Sequence, residues 1–297
     1  MIWLIGNKGM LGTELSLLLE KDNISFWGTD KEVDITSFDS LKEYVKNKSI
    51  KWIINCAAYT AVDKAEEDIE FCCKINTDGP YNIALIANEV GANIIHISTD
   101  YVFNGKGNKP YTEEYSTDPI GIYGITKCDG EIKLFQENKY SYIIRTAWLY
   151  GEYGDNFVHT MIRLMNERDS ISVVNDQTGS PTSANDLAQI IIKIIILSLE
   201  NKSIPYGIYH FSNEGEISWY DFAKEIYSQA KTIGILTKDC EIKPCTSSDF
   251  PAKVARPSYS VLDKTKIKKE LGITIPSWDD SLKLFLESYK NKLDKNE

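Results

Sequence analysis

The sequence has no surplus of positive charge. Its 33 Lys and Arg residues stand against 43 Asp and Glu residues, which gives a net charge of −10. A chain of this kind supplies no broad basic field, and this argues against a general role on nucleic acids or on anionic membrane surfaces. Any phosphate group must therefore be bound locally, by backbone amides and a few cationic side chains.

Long apolar runs and paired cysteines are also missing. The apolar stretch 190–197 is interrupted by Lys193 and is far shorter than a bilayer span. Residues 1–5 are apolar but lack a basic start, so they do not resemble a secretory signal. The six cysteines show no zinc-like spacing, which favours reduced thiols and no metal site built on them. We therefore expect a cytoplasmic protein with no membrane partner.

What is present is a regular alternation of apolar, β-branched runs with helical patterns. Such alternation predicts an α/β protein with a Rossmann-type, doubly wound parallel sheet. We expect residues 1–150 to form the dinucleotide-binding domain and residues 151–297 to form mainly a smaller substrate-binding lobe, interleaved with the end of the sheet. The predicted strands of the first part are 2–5, 24–28, 51–56, 93–97 and 142–146.

Three glycines follow the first predicted strand. Gly6, Gly9 and Gly12 lie between an apolar run and a helical pattern, which is the setting of a dinucleotide-binding loop. Glycines permit a tight turn and close approach of the backbone, and the helix N-terminus faces a pyrophosphate with free amides. The spacing is Gly-x2-Gly-x2-Gly, and the alternative is a plain turn between a strand and a helix.

The end of the second predicted strand carries a carboxylate. Asp30 lies 18 residues after Gly12, close to the ~20 residues expected for a group that binds the adenosine ribose. Lys31 could accommodate a 2′-phosphate in part, so NADH and NADPH both remain open as cofactors. The further predicted cofactor contacts are Met10, Leu11, Asp34, Ile35, Ala57, Ala58, Tyr59, Asn76 and Ile97.

Thr99, Tyr123 and Lys127 form a candidate catalytic group. Tyr123 and Lys127 are four residues apart, so on a helix they share a face. We expect the ammonium group to lower the pKa of the phenol, and Thr99 to hold a substrate carbonyl beside it. Together they would deliver a proton to a carbonyl group that accepts hydride. The alternative for a Tyr-x3-Lys pair is a solvated helix face.

Five longer stretches resemble a known family. They are residues 55–66 (Asn-x-Ala-Ala-Tyr-Thr-x-Val-Asp-x-Ala-Glu), 98–105 (Ser-Thr-Asp-Tyr-Val-Phe-Asn-Gly), 145–151 (Arg-Thr-x-Trp-Leu-Tyr-Gly), 176–182 (Asp-Gln-x-Gly-x-Pro-Thr) and 255–257 (Ala-Arg-Pro). The resemblance is to the extended short-chain dehydrogenases/reductases and, within them, to the dTDP-4-dehydrorhamnose reductases. It implies a dTDP-sugar substrate, a Tyr123 that donates the proton, a Lys127 that binds the nicotinamide ribose and a Thr99 that holds the sugar carbonyl.

The same resemblance implies further substrate contacts. Asp100 and Trp148 match residues that lie at the sugar, although Trp148 on sequence alone could equally belong to the core. Gln177, Thr182 and Arg256 are also predicted at the substrate, with Arg256 at the diphosphate rather than in a surface ion pair. Some members of the family dimerise around Mg2+, so the chain is expected to be a monomer or a homodimer. The ligands of such an ion cannot be assigned in this sequence.

Two classes of function remain open at this point. One is a reductase of a nucleotide-linked 4-keto sugar, or a reductase/epimerase of a related sugar. The other is a non-catalytic, dinucleotide-binding regulatory subunit, because such a subunit resembles the same family. The intact Thr99, Tyr123 and Lys127 favour the enzyme. A dehydratase is disfavoured because its carboxylate base would follow Asp100, where this chain has Tyr101.

Overall fold

The computed structural model describes residues 1–249 and 252–296. Its centre is a six-stranded sheet in the order β10-β5-β4-β3-β1-β2, in which every neighbouring pair is parallel. The fold class predicted from the alternating pattern is therefore confirmed. The strands of this sheet are β1 (Ile2–Ile5), β2 (Phe26–Thr29), β3 (Trp52–Asn55), β4 (Asn93–Thr99), β5 (Ser141–Thr146) and β10 (Gly207–His210).

The remaining strands are short and form three two-stranded pairs, β6 with β9, β12 with β7, and β11 with β8. Their bounds are β6 (Leu149–Tyr150), β7 (Ser170–Val174), β8 (Thr178–Gly179), β9 (Thr182–Ser183), β11 (Ile217–Ser218) and β12 (Glu241–Cys245). The helices are α1 (Met10–Lys21), α2 (Phe38–Val45), α3 (Val62–Ala65), α4 (Ile69–Cys73), α5 (Gly79–Val90), α6 (Ile122–Glu137), α7 (Phe157–Glu167), α8 (Ala184–Leu199), α9 (Trp219–Thr232), α10 (Thr265–Leu271) and α11 (Trp278–Asn296). A π-helical turn (Lys74–Asp78) joins α4 to α5, and a 3-10 turn (Asp100–Val102) follows β4.

The predicted start of β2 at Ile24 is wrong by two residues. Asn23 adopts a left-handed conformation with φ +56°, and the amide of Ile24 donates to the carbonyl of Leu19 over 2.8 Å. These contacts end α1 and keep Ile24 outside the ladder, so the strand begins at Phe26.

Side-chain alternation on the strands builds two core layers. Ile2 and Leu4 point to the face covered by α1 and α8, while Trp3 and Ile5 point to the face covered by α2 and α5. This is the two-residue period of a strand buried on both faces. A third apolar cluster lies apart from the sheet, among α7, β7, α9 and α11.

The carboxyl ends of the central strands meet along one edge of the sheet. Asn55 is in register with Ile5 and His96, and Thr99 is in register with Thr146. In open α/β sheets, ligands bind at this edge. The Gly loop, the segment after β3, Thr99 and the segment after β5 are thereby brought together. Within the described ranges, no helix has both the length and the apolar character needed to cross a bilayer.

Candidate active site

The Gly loop is shaped by close backbone contacts. Gly6 has φ +76°, and a Cβ atom at this residue would lie 2.8 Å from the amide nitrogen of Ala57. A Cβ atom at Gly12 would lie 2.0 Å from the carbonyl oxygen of Gly6, so only glycine fits at either position. Gly9 precedes α1 without a side-chain cap, which leaves the amides of Met10 and Leu11 for an acceptor outside the helix. The loop therefore fits a dinucleotide pyrophosphate.

A second carboxylate, that of Glu32, lies beside the predicted ribose-binding residue Asp30 at the end of β2. The backbone amide of Asp30 donates to Glu32 Oε1 over 2.9 Å, and Lys8 Nζ lies 3.5 Å from Glu32 Oε2. The Asp30 amide and other backbone donors lower the pKa of Glu32. Lys31 is exposed beside them. Glu32 and Lys8 were not predicted from the sequence, because no spacing rule places them next to the ribose carboxylate.

Two predicted cofactor contacts lie in the segment after β2. Asp34 Oδ1 accepts from the amide and the hydroxyl of Thr36, at 2.9 Å and 2.8 Å. Ile35 is 7% exposed and packs in the core, and its carbonyl accepts from Asn82 over 3.1 Å. Both stay predicted contacts, but the side chain of Ile35 lies in the protein interior.

The segment after β3 is held by amide side chains. Ala57 N donates to Asn55 Oδ1 over 3.1 Å, and the half-buried Ala58 follows. Asn76, from the π-helical turn, accepts from Tyr59 N over 2.8 Å and donates to Tyr59 O over 3.0 Å. Asn76 is thus bonded to the predicted cofactor segment itself, and its side chain fixes the path of that segment.

Lys127 is buried and is bound by β4. Its Nζ donates to the carbonyl oxygen of Ile97 over 2.6 Å and lies 3.4 Å from His96 Nε2. Burial lowers the pKa of Lys127 to about 8, against the opposing effect of Glu131. The pKa of His96 is also lowered, by its own burial and by Lys127, so this imidazole is neutral.

The predicted lowering of the Tyr123 pKa is wrong. Burial raises the pKa of this phenol above its ordinary value, and the Thr99 hydroxyl opposes the shift. The ammonium group of Lys127, four residues later, donates to the carbonyl oxygen of Ile97. The ring of Tyr101 packs edge-on against Tyr123 with 5.3 Å between the ring centroids. Tyr123 therefore holds its proton at neutral pH and can donate it only to a stronger base, such as a developing alkoxide.

Thr99 and Asp100 form a buried pair at the end of β4. The Thr99 hydroxyl donates to Asp100 Oδ1 over 2.9 Å, and it accepts from the amide of Tyr101 over 3.2 Å. Burial raises the pKa of Asp100 to about 7. Among the described residues, Asp100 Oδ2 has no hydrogen-bond partner. This oxygen is available to a polar ligand.

A cavity of about 650 Å³ extends from Tyr101 to α7 and β7. At one side, Arg256 Nη2 donates to Asp63 Oδ2 over 2.6 Å, while Arg256 Nη1 is buried and has no partner in the described part of the chain. Gln177 also lines the cavity, and its Nε2 donates to Ser247 Oγ over 2.9 Å. The cavity combines a cationic group with an apolar wall.

Trp148 and Thr182 lie together beyond β5. Trp148 is half-buried, and its ring stacks on that of Trp219. Thr182 is fully buried, and its hydroxyl donates to Ala147 O over 2.5 Å. Thr182 stays a predicted substrate contact whose side chain the structure places in the interior. Trp219 was not predicted, because its sequence position signals only the start of a helix.

In residues 1–249 and 252–296, no group of three or more His, Cys, Asp or Glu side chains could hold a metal ion, so no ligands can be assigned to the possible Mg2+.

Comparisons with known proteins agree with this geometry. The family described as RmlD substrate binding domain matches residues 1–291. The dTDP-4-dehydrorhamnose reductase of Aggregatibacter actinomycetemcomitans is 38% identical over 280 residues, which cover 94% of this chain and 95% of that protein. The spore coat polysaccharide biosynthesis protein SpsK of Bacillus subtilis is 39% identical over 290 residues, or 97% and 98% of the two chains.

Among solved structures, the dTDP-4-dehydrorhamnose reductase of Bacillus anthracis in complex with NADP superposes with a TM-score of 0.90. It is 39% identical, and the match covers 97% of this chain and 98% of that one. The chain therefore belongs to the RmlD substrate binding domain family, the family of the dTDP-4-dehydrorhamnose reductases.

Proposed function

We propose that this protein catalyses the NAD(P)H-dependent reduction of the 4-keto group of dTDP-4-dehydro-β-L-rhamnose, which gives dTDP-L-rhamnose for cell-surface polysaccharides. The observation that carries the proposal is the meeting of Thr99, Tyr123 and Lys127 at the carboxyl edge of the sheet, beside a Gly loop that only glycine can form. Relatives of nearly equal length, named for this reaction, support it.

The proton is supplied by Tyr123. Its raised pKa keeps the phenol protonated at neutral pH, and the developing alkoxide of the sugar is basic enough to take that proton. The Thr99 hydroxyl holds the keto oxygen next to the phenol. In the protein itself this hydroxyl donates to Asp100 Oδ1, so its proton must turn from Asp100 to the keto oxygen when the sugar binds.

The cofactor, when bound, supplies the hydride. Gly6, Gly9 and Gly12 would bring the backbone close to its pyrophosphate, with the amides of Met10 and Leu11 as donors. Lys127 would bind the nicotinamide ribose, and Asp30 the adenosine ribose. Lys31 follows Asp30 directly, and Lys8 pairs with Glu32 beside it, so both NADH and NADPH fit the charges present.

The nucleotide half of the substrate fits the cavity of about 650 Å³. Arg256 keeps one unpartnered Nη1 for the diphosphate, because only its Nη2 is used by Asp63. Asp100 and Trp148 would contact the sugar, with Gln177 and Thr182 behind them. In this proposal, residues 1–150 bind mainly the cofactor and residues 151–297 mainly the dTDP-sugar, in a cytoplasmic monomer or homodimer.

The test is a direct assay. Purified protein, NADPH and dTDP-4-dehydro-L-rhamnose are mixed, the absorbance of the reduced nicotinamide is followed, and the product sugar is identified. We expect consumption of cofactor and formation of dTDP-L-rhamnose. Binding of cofactor without any turnover would instead indicate a regulatory subunit. Turnover with a different product would indicate a reductase of another nucleotide-linked sugar.

A further inference from the structure

Trp148 has a backbone conformation that its own residue type disfavours. Its φ is +49°, in the left-handed region, where a bulky side chain is a genuine outlier. Such strain persists only where the surroundings impose it, and it concentrates at functional sites. Two groups around Trp148, the ring of Trp219 and the bare Cα of Gly179, hold it in this conformation.

Trp219 is the first of these groups. The two indole rings lie almost parallel, with 3.4 Å between the ring centroids and 8° between the planes. Aromatic pairs prefer offset or edge-on arrangements over this face-to-face stack. The face-to-face arrangement therefore follows from where the backbone places the two side chains, and not from the preference of the rings. Trp219 also lines the cavity of about 650 Å³, whereas Trp148 is not among its lining residues.

Gly179 is the second group. A Cβ atom at Gly179 would lie 2.4 Å from Trp148 Cε2 and 2.7 Å from Trp148 Cζ2. The edge of the indole thus rests against a bare Cα, and an alanine would displace it. This contact gives a physical reason for the glycine in the Asp-Gln-x-Gly-x-Pro-Thr stretch.

A short ladder connects the two groups that hold the ring. Strand β11, which ends directly before Trp219, pairs with β8, so that Ile217 is in register with Gly179 and Ser218 with Thr178. On the other side, Thr182 N donates to Trp148 O over 3.1 Å, and its hydroxyl donates to the preceding carbonyl. The backbone of Trp148 is therefore held by Thr182 of β9, and its ring is held by Gly179 of β8 and by Trp219 at the start of α9.

We propose that Trp219 is a positioning residue which, together with Gly179, fixes the indole of Trp148 where the sugar of the substrate binds. This inference rests on the proposed function, because it takes Trp148 as the sugar contact. Trp219 also lines the cavity assigned to the nucleotide half of the substrate, whereas Gly179 does not and acts on the sugar through Trp148. Gly179→Ala should therefore change recognition of a dTDP-sugar and not of dTDP, and Trp219→Leu should weaken binding of the dTDP-sugar more than binding of dTDP.

The experiment compares dTDP and dTDP-L-rhamnose binding by calorimetry in the full chain. The variants are Trp219→Leu, Trp219→Phe and Gly179→Ala. The control is Trp278→Phe, because Trp278 packs edge-on against Phe222 in the same apolar cluster, and among the described residues its ring makes no aromatic contact with Trp148 or Trp219. Far-ultraviolet circular dichroism reports the exciton signal of two stacked indoles and also shows whether each variant is folded.

We expect Trp219→Leu and Gly179→Ala to weaken dTDP-L-rhamnose binding roughly 3- to 10-fold, the range of one aromatic contact. Binding of dTDP should be unchanged in Gly179→Ala, and in Trp219→Leu it should be weakened less than binding of dTDP-L-rhamnose. Trp219→Phe should restore most of the affinity, since it keeps a ring against Trp148. The exciton signal should vanish in both Trp219 variants and remain in Trp278→Phe. In the reductase assay the same variants should raise KM for the sugar nucleotide more than they lower kcat.

Equal weakening of dTDP and dTDP-L-rhamnose would overturn the inference, because it would place Trp219 on the nucleotide. Unchanged binding of both ligands in the folded variants would overturn it as well. Should Trp219→Leu not fold, Gly179→Ala decides alone. A wild-type protein that binds both ligands but reduces no sugar would refute the proposed function, while the binding comparison would still decide the role of Trp219.

Discussion

The ammonium group of Lys127 donates to the carbonyl oxygen of Ile97 over 2.6 Å, which ties a side chain of α6 to β4. Tyr123 lies four residues earlier on the same helix, a spacing that places two side chains on one face. The pKa of Tyr123 is nevertheless set by burial, and Lys127 is held by β4. We therefore assign different roles to the two groups: the phenol of Tyr123 donates a proton, and the ammonium group of Lys127 binds the cofactor.

The first prediction concerns the proton donor. Tyr123→Phe removes the acidic hydroxyl but keeps the ring that packs against Tyr101. We expect kcat to fall at least ~10²-fold while NADPH still binds, because positioned proton transfer contributes about that much. The measurements are steady-state turnover and cofactor binding by fluorescence. Tyr140→Phe, at an exposed tyrosine, is the matched control. Near wild-type turnover in Tyr123→Phe would refute the assignment.

The second prediction concerns pH. The Lys127 pKa is lowered to about 8, so the ammonium form is present below that pH and is lost as the pH rises through it. Because we assign the charged form to the nicotinamide ribose, kcat/KM for NADPH should fall above about pH 8. In Lys127→Arg the side chain stays charged across this range, so the alkaline fall should disappear even if activity is reduced. A fall at the same pH in the arginine variant would assign it to another group.

The third prediction concerns cofactor choice. Asp30→Ala removes a carboxylate that repels a 2′-phosphate, so the ratio of kcat/KM values should move towards NADPH by about 10-fold. The rates with both cofactors are compared in the same preparation. Asp39→Ala, at an exposed carboxylate on α2, is the control. An unchanged ratio in Asp30→Ala would show that Asp30 does not face the ribose.

The fourth prediction concerns the diphosphate. Arg256→Met keeps an unbranched apolar stem but removes the guanidinium group with its unpartnered Nη1, so KM for the dTDP-sugar should rise roughly 10- to 100-fold, the range of a charged hydrogen bond. The nearby Lys253→Met is the control, because Lys253 pairs with Glu67 at the surface. Equal increases of KM in both variants would mean that a change in the loop, and not the loss of the guanidinium group, weakens binding of the dTDP-sugar. KM for NADPH should change in neither.

Some of the site could be predicted from the sequence because parallel strands end at one edge of a sheet. Gly6, Thr99 and the residues after β3 and β5 each follow an apolar run, so their meeting follows from the fold class alone. The pKa of Tyr123 could not be predicted in this way, because it depends on burial and on where Lys127 points. Trp219 escaped prediction for a similar reason. Its partner is 71 residues away, and only the β8–β11 ladder brings the two rings together.

The last prediction separates a reductase from the dehydratases and epimerases that share the Gly loop and the catalytic group. Removal of water from the sugar needs a base after Asp100, where this chain has Tyr101. Burial and the neighbouring Asp100 raise the pKa of Tyr101 above its ordinary value, so this phenol cannot act as that base at neutral pH.

An epimerase that works through a transient ketone must retain its oxidised cofactor, whereas a net reductase releases it in every cycle. The purified protein should therefore contain little nicotinamide and should consume one NAD(P)H for each sugar reduced. Both quantities can be measured, the first by denaturing the protein and assaying the released cofactor, the second by titrating substrate against absorbance. Tyr101→Phe should retain the reductase activity, because the ring and not the hydroxyl packs on Tyr123. Tightly bound NAD+ together with sugar conversion that needs no added NAD(P)H would contradict the assignment as a reductase.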